Sequence, residues 1–351
     1  MRAVRLYGSR DVRLETVLRP KIRPDIAIIK VAWAGICGTD LYTYLTPQAV
    51  DVRDTRDLSA IKPVIPGHEF SGVISDTTDS SNWPLGTRVV VDPAHHCGRC
   101  LYCRSGQTNL CRHIRLLGAD MPGGLAEYVA VPLKNLIRLP NKVGLRTGCM
   151  VEPLSCAFHA VQRASLMPDE RVLIMGGGAI GLGVAFLLRM IGVKRILLCE
   201  PSVVRRGAAS QLGLMGVLDP LDAEAPRVIS SRFKGQGASL VFETSGQKDA
   251  LTFALPCVRK GGRVVVVGRH REDWLVPTRQ VFSMEISLIW SLGAVRSDFR
   301  SVIDLVAACG QDLPFPVRCA DVAGVSQAIF DKLVRGSVLK LLVRVDSEVV
   351  D

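Results

Sequence analysis

Two hydrophobic rhythms divide the chain. Over the first 150 residues, short segments that alternate apolar and polar side chains (Asp25 to Ala34, Ser71 to Ser75, Arg88 to Asp92, Ala126 to Val131) are separated by Gly, Pro, Asp and Asn. That is the pattern of half-buried strands joined by turns, and it predicts an antiparallel β domain. From about Asp169 the rhythm changes to short apolar runs, Val172–Met175, Ile196–Cys199, Leu240–Phe242 and Val264–Val267, spaced by longer stretches with helical periodicity. Alternating β and α predicts a doubly wound parallel sheet. A helical segment, Arg300 to Cys309, and a terminal strand, Val338 to Val345, follow; this tail is too short for a domain and is expected to fold back on the β part. The polar stretch Tyr42 to Lys62 reads as a surface loop beside whatever the flanking residues do.

Composition narrows the class. At 351 residues the chain exceeds the roughly 250–300 residues at which one core stops growing, so two domains are expected. With 48% hydrophobic and 22% charged residues it has ample material for buried cores, which excludes disorder. The longest uncharged run, Val172 to Leu188, is glycine-rich and shorter than the roughly 20 residues of a membrane helix. No apolar stretch near Met1 resembles a secretory signal, so a cytoplasmic location is expected. The net charge of +11 is scattered, without a basic run or interleaved aromatics, and argues against nucleic acid.

Eleven cysteines in such a chain read as ligands or buried apolar residues before disulfides. Cys97, Cys100, Cys103 and Cys111 fall in one short polar segment. Four thiolates at that spacing can close a tetrahedron around Zn²⁺, with an iron–sulfur cluster as the lesser alternative; a closed four-sulfur site leaves no position for substrate, so its role is structural. A second motif, Gly176-x-Gly178-x-x-Gly181, follows an apolar strand and opens a helical run. There the glycines allow a tight turn, close approach of a pyrophosphate and helix-on-strand packing. Glu200 ends the next strand, where an acid bonds both ribose hydroxyls and repels a 2′-phosphate, so NAD is favoured over NADP. Arg205 and Arg206 lie close enough to accept that phosphate. Gly176, Gly178, Ile180, Gly181, Glu200 and Arg205 are the candidate cofactor contacts. A third, dispersed set, Cys37, His68, Glu69 and Glu152, offers thiolate, imidazole and carboxylate, the donor set of a catalytic zinc that keeps one position open.

With these motifs the chain resembles the zinc-containing medium-chain dehydrogenase/reductases of the sorbitol, threonine and butanediol dehydrogenase type. The matching residues are Gly35-Ile-Cys-Gly-Thr-Asp40, Pro66-Gly-His-Glu69, the four-cysteine lobe, Gly123-Gly-Leu-Ala-Glu-Tyr128, Glu152-Pro-Leu-Ser and Gly176 to Gly181 with Glu200, with Gly246 and a Gly261-Gly262 turn in support. The resemblance implies α/β plus β architecture: a GroES-like catalytic domain at 1–157, an inserted Rossmann domain at 158–292, and a return segment at 293–351 completing the first. It places Cys37 and His68 on the catalytic zinc with Glu69 and Glu152 sharing the third-ligand role unranked, Thr39 at the substrate hydroxyl, and Asp40 orienting His68. Tyr42 stands where many members carry a relay histidine.

The implied activity is hydride transfer between NAD(H) and a secondary alcohol or ketone of a polyol, cyclitol, vicinal diol or amino alcohol, in a homo-dimer or homo-tetramer with two zinc ions per subunit. Arg296, in the return segment, is a candidate substrate donor. The competing readings are a zinc-free quinone or enoyl reductase, which would need no Cys37–His68–Glu69 set, and a non-catalytic protein whose Rossmann half senses cofactor redox state.

Overall fold

A computed structural model describes residues 1–45, 63–270, 272–310, 316–346 and Val349; most of the Tyr42 to Lys62 stretch lies outside them. The chain divides into two compact units. One is Met1–Glu152 together with nearly all of the chain from Val295 onward, and the other is Pro153–Ala294. The first cut falls inside the helix Val151–Arg163.

In the first unit the centre is the strand Ile26–Ile36, whose eleven residues, IAIIKVAWAGI, are mostly buried. A strand flanked on both edges and covered on both faces has no use for alternation, which is why this run is nearly continuously apolar. It pairs antiparallel with Glu69–Thr77, with Tyr128–Pro132 and with the terminal strand Leu341–Arg344. Glu69–Thr77 continues the sheet to Arg88–Val91 and Leu136–Arg138. Two register shifts interrupt the Ile26–Ile36 ladder, at Ile28/Ile29 and Val31/Trp33, and bulges of this kind increase strand twist and curl the sheet. Helix Gly38–Leu45 is clamped from the far end of the chain: buried Tyr44 stacks on Phe330 at 5.0 Å and donates its hydroxyl to Asp331 at 3.0 Å, which also accepts Arg10 Nη1 at 2.8 Å.

The second unit is a six-stranded, wholly parallel sheet. From edge to edge the strands are Gly216–Leu218, Arg195–Cys199, Arg171–Met175, Ala238–Glu243, Val258–Val266 and Ser287–Trp290. In chain order that is 3-2-1-4-5-6, so the direction of winding reverses between Arg171–Met175 and Ala238–Glu243, the crevice where such sheets bind dinucleotides. The Gly261-Gly262 pair turns the chain within Val258–Val266: Val258 faces Ala238 and Arg263 faces Leu240, so the residues between loop out, with Gly261 at φ 65° and no room for a Cβ on Gly262, which would come within 2.5 Å of Val258 Cγ1. A buried ion pair, Arg263 to Glu170, ties this strand to the residue before the first strand of the sheet, and Arg263 Nε also donates to Ala164 O at 3.0 Å.

Among the described residues no helix is long and apolar enough to cross a membrane. Asp92, which follows Arg88–Val91, is only 4% exposed; burial pushes its carboxyl up to about 6, although the Ala94 N–H and Arg296 oppose the shift. An acid raised in the folded state destabilises the fold where it is charged, and the penalty fades as pH falls from the folded value of about 6 to the ordinary carboxylate range. Asp92→Asn is therefore expected to raise unfolding free energy by about 2 kcal/mol at pH 7.5 and by almost nothing at pH 4, read from denaturant midpoints at the two pH values.

Candidate metal centres and cofactor loop

Cys37 ends the central strand and Gly38–Leu45 begins at once, so the thiol is fixed between two regular elements. Asp40, 2% exposed, accepts the Cys37 N–H at 2.8 Å and the Gly67 N–H at 3.2 Å. One carboxylate thus ties the Cys37 turn to the loop that carries His68. Thr39 Oγ1 lies 3.9 Å from Cys37 Sγ.

The His68 loop is shaped by backbone contact. Gly67 sits at φ 93°, and the segment Gly123 to Leu125 runs along it, Gly123, Gly124 and Leu125 donating to Ile65, Gly67 and Pro66 at 2.8, 2.7 and 3.0 Å. A Cβ on Gly123 would come within 2.2 Å of Gly67 O, and one on Gly124 within 2.4 Å of the Phe70 ring. These glycines are where one chain lies against another with no side chain between them. Glu69 follows, opposite Gly35 in the ladder, where a Cβ would be 2.1 Å from Glu69 Oε2.

The ligand atoms of Cys37, His68 and Glu69 lie within 4.8 Å of one another. Glu152 is not in that group, although its charge reaches His68. Burial pushes the His68 imidazole down, but Cys37, Asp40 and Glu152 outweigh it and hold His68 well above its usual range. The negative groups around this buried imidazole make a pocket of negative potential, which favours a cation. His68 Nδ1 is buried and, among the described residues, has no hydrogen-bond partner; it lies 3.9 Å from Asp40 Oδ1. That distance is too long for the expected orienting bond; Asp40 spends its oxygens on backbone N–H groups instead. Thiol, imidazole and carboxylate at this spacing fit a zinc ion.

The site has a further member. Lys340, just before the terminal strand, reaches Glu69 Oε2 in a buried ion pair and donates to Ile36 O at 2.9 Å. Its one sequence signal is being the single charge in the apolar run Val338 to Val343. Arg296, the candidate substrate donor, is otherwise engaged: its guanidinium donates to Lys134 O and Leu136 O, each at 2.6 Å.

Cys97, Cys100, Cys103 and Cys111 converge, all free of disulfides. Their sulfurs are 3.9 Å apart for Cys97 and Cys103, 3.5 Å for Cys100 and Cys103, and 3.9 Å for Cys100 and Cys111. A thiolate tetrahedron with zinc–sulfur bonds of about 2.3 Å has edges of about 3.8 Å. The Cys97 and His113 N–H groups point at Cys111 Sγ, at 3.3 and 3.4 Å, as they would toward anionic sulfur. The lobe fits zinc.

In the second unit, Gly181 has no room for a side chain: a Cβ would lie 1.9 Å from Gly176 O, so helix Ala179–Met190 seats directly on the strand end. A Cβ on Gly178 would meet nothing within 4 Å, and Gly178 caps that helix without a side-chain bond, leaving the first-turn N–H groups, Ile180 among them, for an anion. Glu200 is 3% exposed and accepts Gly177 N–H at 2.7 Å and Ser202 N–H at 2.9 Å. It therefore braces the glycine turn from the end of the next strand. Arg206 is committed to Glu200 O, Pro201 O and Asp219, whereas Arg205 Nη1 stands 3.9 Å from Glu200 and its buried Nε has no partner among the described residues.

A four-sulfur lobe, a buried thiol–imidazole–carboxylate cluster and a 3-2-1-4-5-6 sheet with a glycine phosphate loop together define a zinc-dependent nicotinamide dehydrogenase. The alcohol dehydrogenase GroES-like domain matches residues 23–141 and the zinc-binding dehydrogenase domain residues 179–308. A 2-dehydro-3-deoxy-L-galactonate 5-dehydrogenase of Pseudoalteromonas atlantica is 32% identical over 322 residues, 91% of this chain and 92% of that one. The crystal structure of 2R,3R-butanediol dehydrogenase from Bacillus subtilis superposes with a TM-score of 0.87 at 29% identity, covering 98% of this chain and 99% of that one. A zinc-binding dehydrogenase from Sinorhizobium meliloti bound to NADP gives 0.84 at 27%, covering 98% and 99%. The chain belongs to the zinc-containing medium-chain dehydrogenase/reductase family. It is an oxidoreductase that uses zinc and a nicotinamide cofactor.

Proposed function

We propose that the protein oxidises a secondary alcohol of a polyol, sugar acid or vicinal diol, or reduces the matching ketone, with NAD(H). The observation that supports this most directly is Glu69 in the buried cluster with Cys37 and His68: the third donor is a carboxylate, as the resemblance to polyol-type enzymes implies. Bound there, zinc supplies a Lewis acid for the substrate oxygen, and the nicotinamide accepts the hydride. Cys37, His68 and Glu69 hold the metal, with Glu152 close enough to add charge. Thr39 Oγ1, 3.9 Å from Cys37 Sγ, would accept the hydrogen bond of the substrate hydroxyl and pass its own proton to solvent as that hydroxyl ionises. Cys97, Cys100, Cys103 and Cys111 hold a second, structural zinc. Gly176, Gly178, Ile180 and Gly181 cradle the pyrophosphate, with Glu200 and Arg205 at the adenosine ribose. The protein works as a homo-dimer or homo-tetramer; the uncharged edge strand Ser287–Trp290, with Trp290 57% exposed, is a ready surface for a second copy.

Two zinc equivalents are expected by metal analysis of the purified chain. Cys100→Ser should remove one and lower the melting temperature, while Cys37→Ser should remove the other and leave a folded, inactive protein; a single equivalent in the unaltered chain would refute the assignment. For the cofactor, kcat/KM with NAD should exceed that with NADP, because a 2′-phosphate beside Glu200 meets like charge that Arg205 only partly offsets. Glu200→Ala should narrow the ratio, and equal efficiencies in the unaltered enzyme would count against the NAD reading. For the substrate, a vicinal diol or polyol should show a higher kcat/KM than ethanol or benzyl alcohol, since a second polar group satisfies donors that an alkyl chain leaves unpaired; the reverse order would overturn the polyol assignment.

A further inference from the structure

We propose that Lys340 is a positioning residue that competes with the metal for Glu69 and so lowers the grip of the buried cluster on zinc; this rests on the zinc-dehydrogenase reading of that cluster. The ion pair is almost wholly buried, the side chains of Lys340 and Glu69 being 3% and 1% exposed. Lys340 Nζ therefore lies among the candidate ligand atoms, ion-paired with one of them.

Its place is set from two sides. Ile36 O, the carbonyl just before Cys37, accepts from Nζ at 2.9 Å, and Glu69 Oε2 accepts a second proton of the same ammonium. Glu69 Oε2 already fills the space that a Cβ on Gly35 would need, so the carboxylate oxygen is seated against the Gly35 main chain. One oxygen of Glu69 is thus committed to a charge of the same sign as the metal, and any ion held by Cys37, His68 and Glu69 must share that carboxylate with it. Like charges at such close quarters repel strongly where water is excluded.

The test uses the full-length, zinc-loaded protein and follows transfer of zinc to 4-(2-pyridylazo)resorcinol, with the four-cysteine ion as the internal reference. Lys340→Gln keeps a donor and removes the charge; it should slow release of the cluster ion about tenfold and leave the reference ion unchanged. Lys340→Met carries the same expectation should the glutamine variant not fold. Lys340→Arg, which restores the charge, should return the rate toward that of the unaltered protein. On a Glu69→Gln background, Lys340→Gln should change the rate by less than about twofold, because the shared carboxylate is already gone. Equal or faster release from the charge-removed variants, or the same effect with and without Glu69, would overturn the proposal and leave Lys340 a packing residue. If alcohol-dependent NADH formation persists in that case, the dehydrogenase reading stands without it. Release of the four-cysteine ion alone from the unaltered protein would refute both.

Discussion

Burying charge without leaving it unpaired is the constraint around which the first unit is built. His68, Glu69, Asp40 and Lys340 are each at most 5% exposed, and each would cost several kcal/mol if left alone in an apolar core. Asp40 is satisfied by backbone N–H groups from two loops, Glu69 by Lys340, and Lys340 by Glu69 and a strand carbonyl. Among the described residues His68 Nδ1 alone of these groups has no hydrogen-bond partner. The turn after the central strand, the His68 loop and the start of the terminal strand are held together by these pairings, and the donor atoms of the metal cluster are positioned as a result.

Close backbone packing does the complementary work. Gly67, Gly123 and Gly124 let two loops touch without side chains, so the imidazole is presented from a rigid wall. In the second unit Gly181 does the same for the phosphate turn, and Glu200 locks that turn from behind. Positioning residues by contact between main chains makes a site insensitive to surface substitution and intolerant of a single added methyl group at these points.

Much of this was legible in the sequence. Period-two and apolar runs mark most strands, because burial on one face or both writes itself into adjacent residues, and the cysteine lobe and glycine turn are local motifs whose spacing carries their chemistry. What pairs across the chain was not legible. Lys340 reaches Glu69 over 271 residues, and a lone lysine in an apolar run signals a buried partner without saying which. The same holds for Arg296, whose acceptors are main-chain carbonyls and so leave no trace in side-chain identity.

The pairing of Leu341–Arg344 with Ile26–Ile36 bears on how the protein is made. A central strand synthesised among the first residues must wait for a partner near the end of the chain, and the Lys340 to Ile36 bond spans 304 positions. Pairings of such high sequence separation form slowly. During translation the edge of the central strand that will face Leu341–Arg344 is open, while Pro153–Ala294, continuous in sequence, can fold as it emerges. The first unit is thus completed only after Pro153–Ala294 has been made, and until Leu341–Arg344 emerges the edge of Ile26–Ile36 that it will cover is open to pairing with another nascent chain.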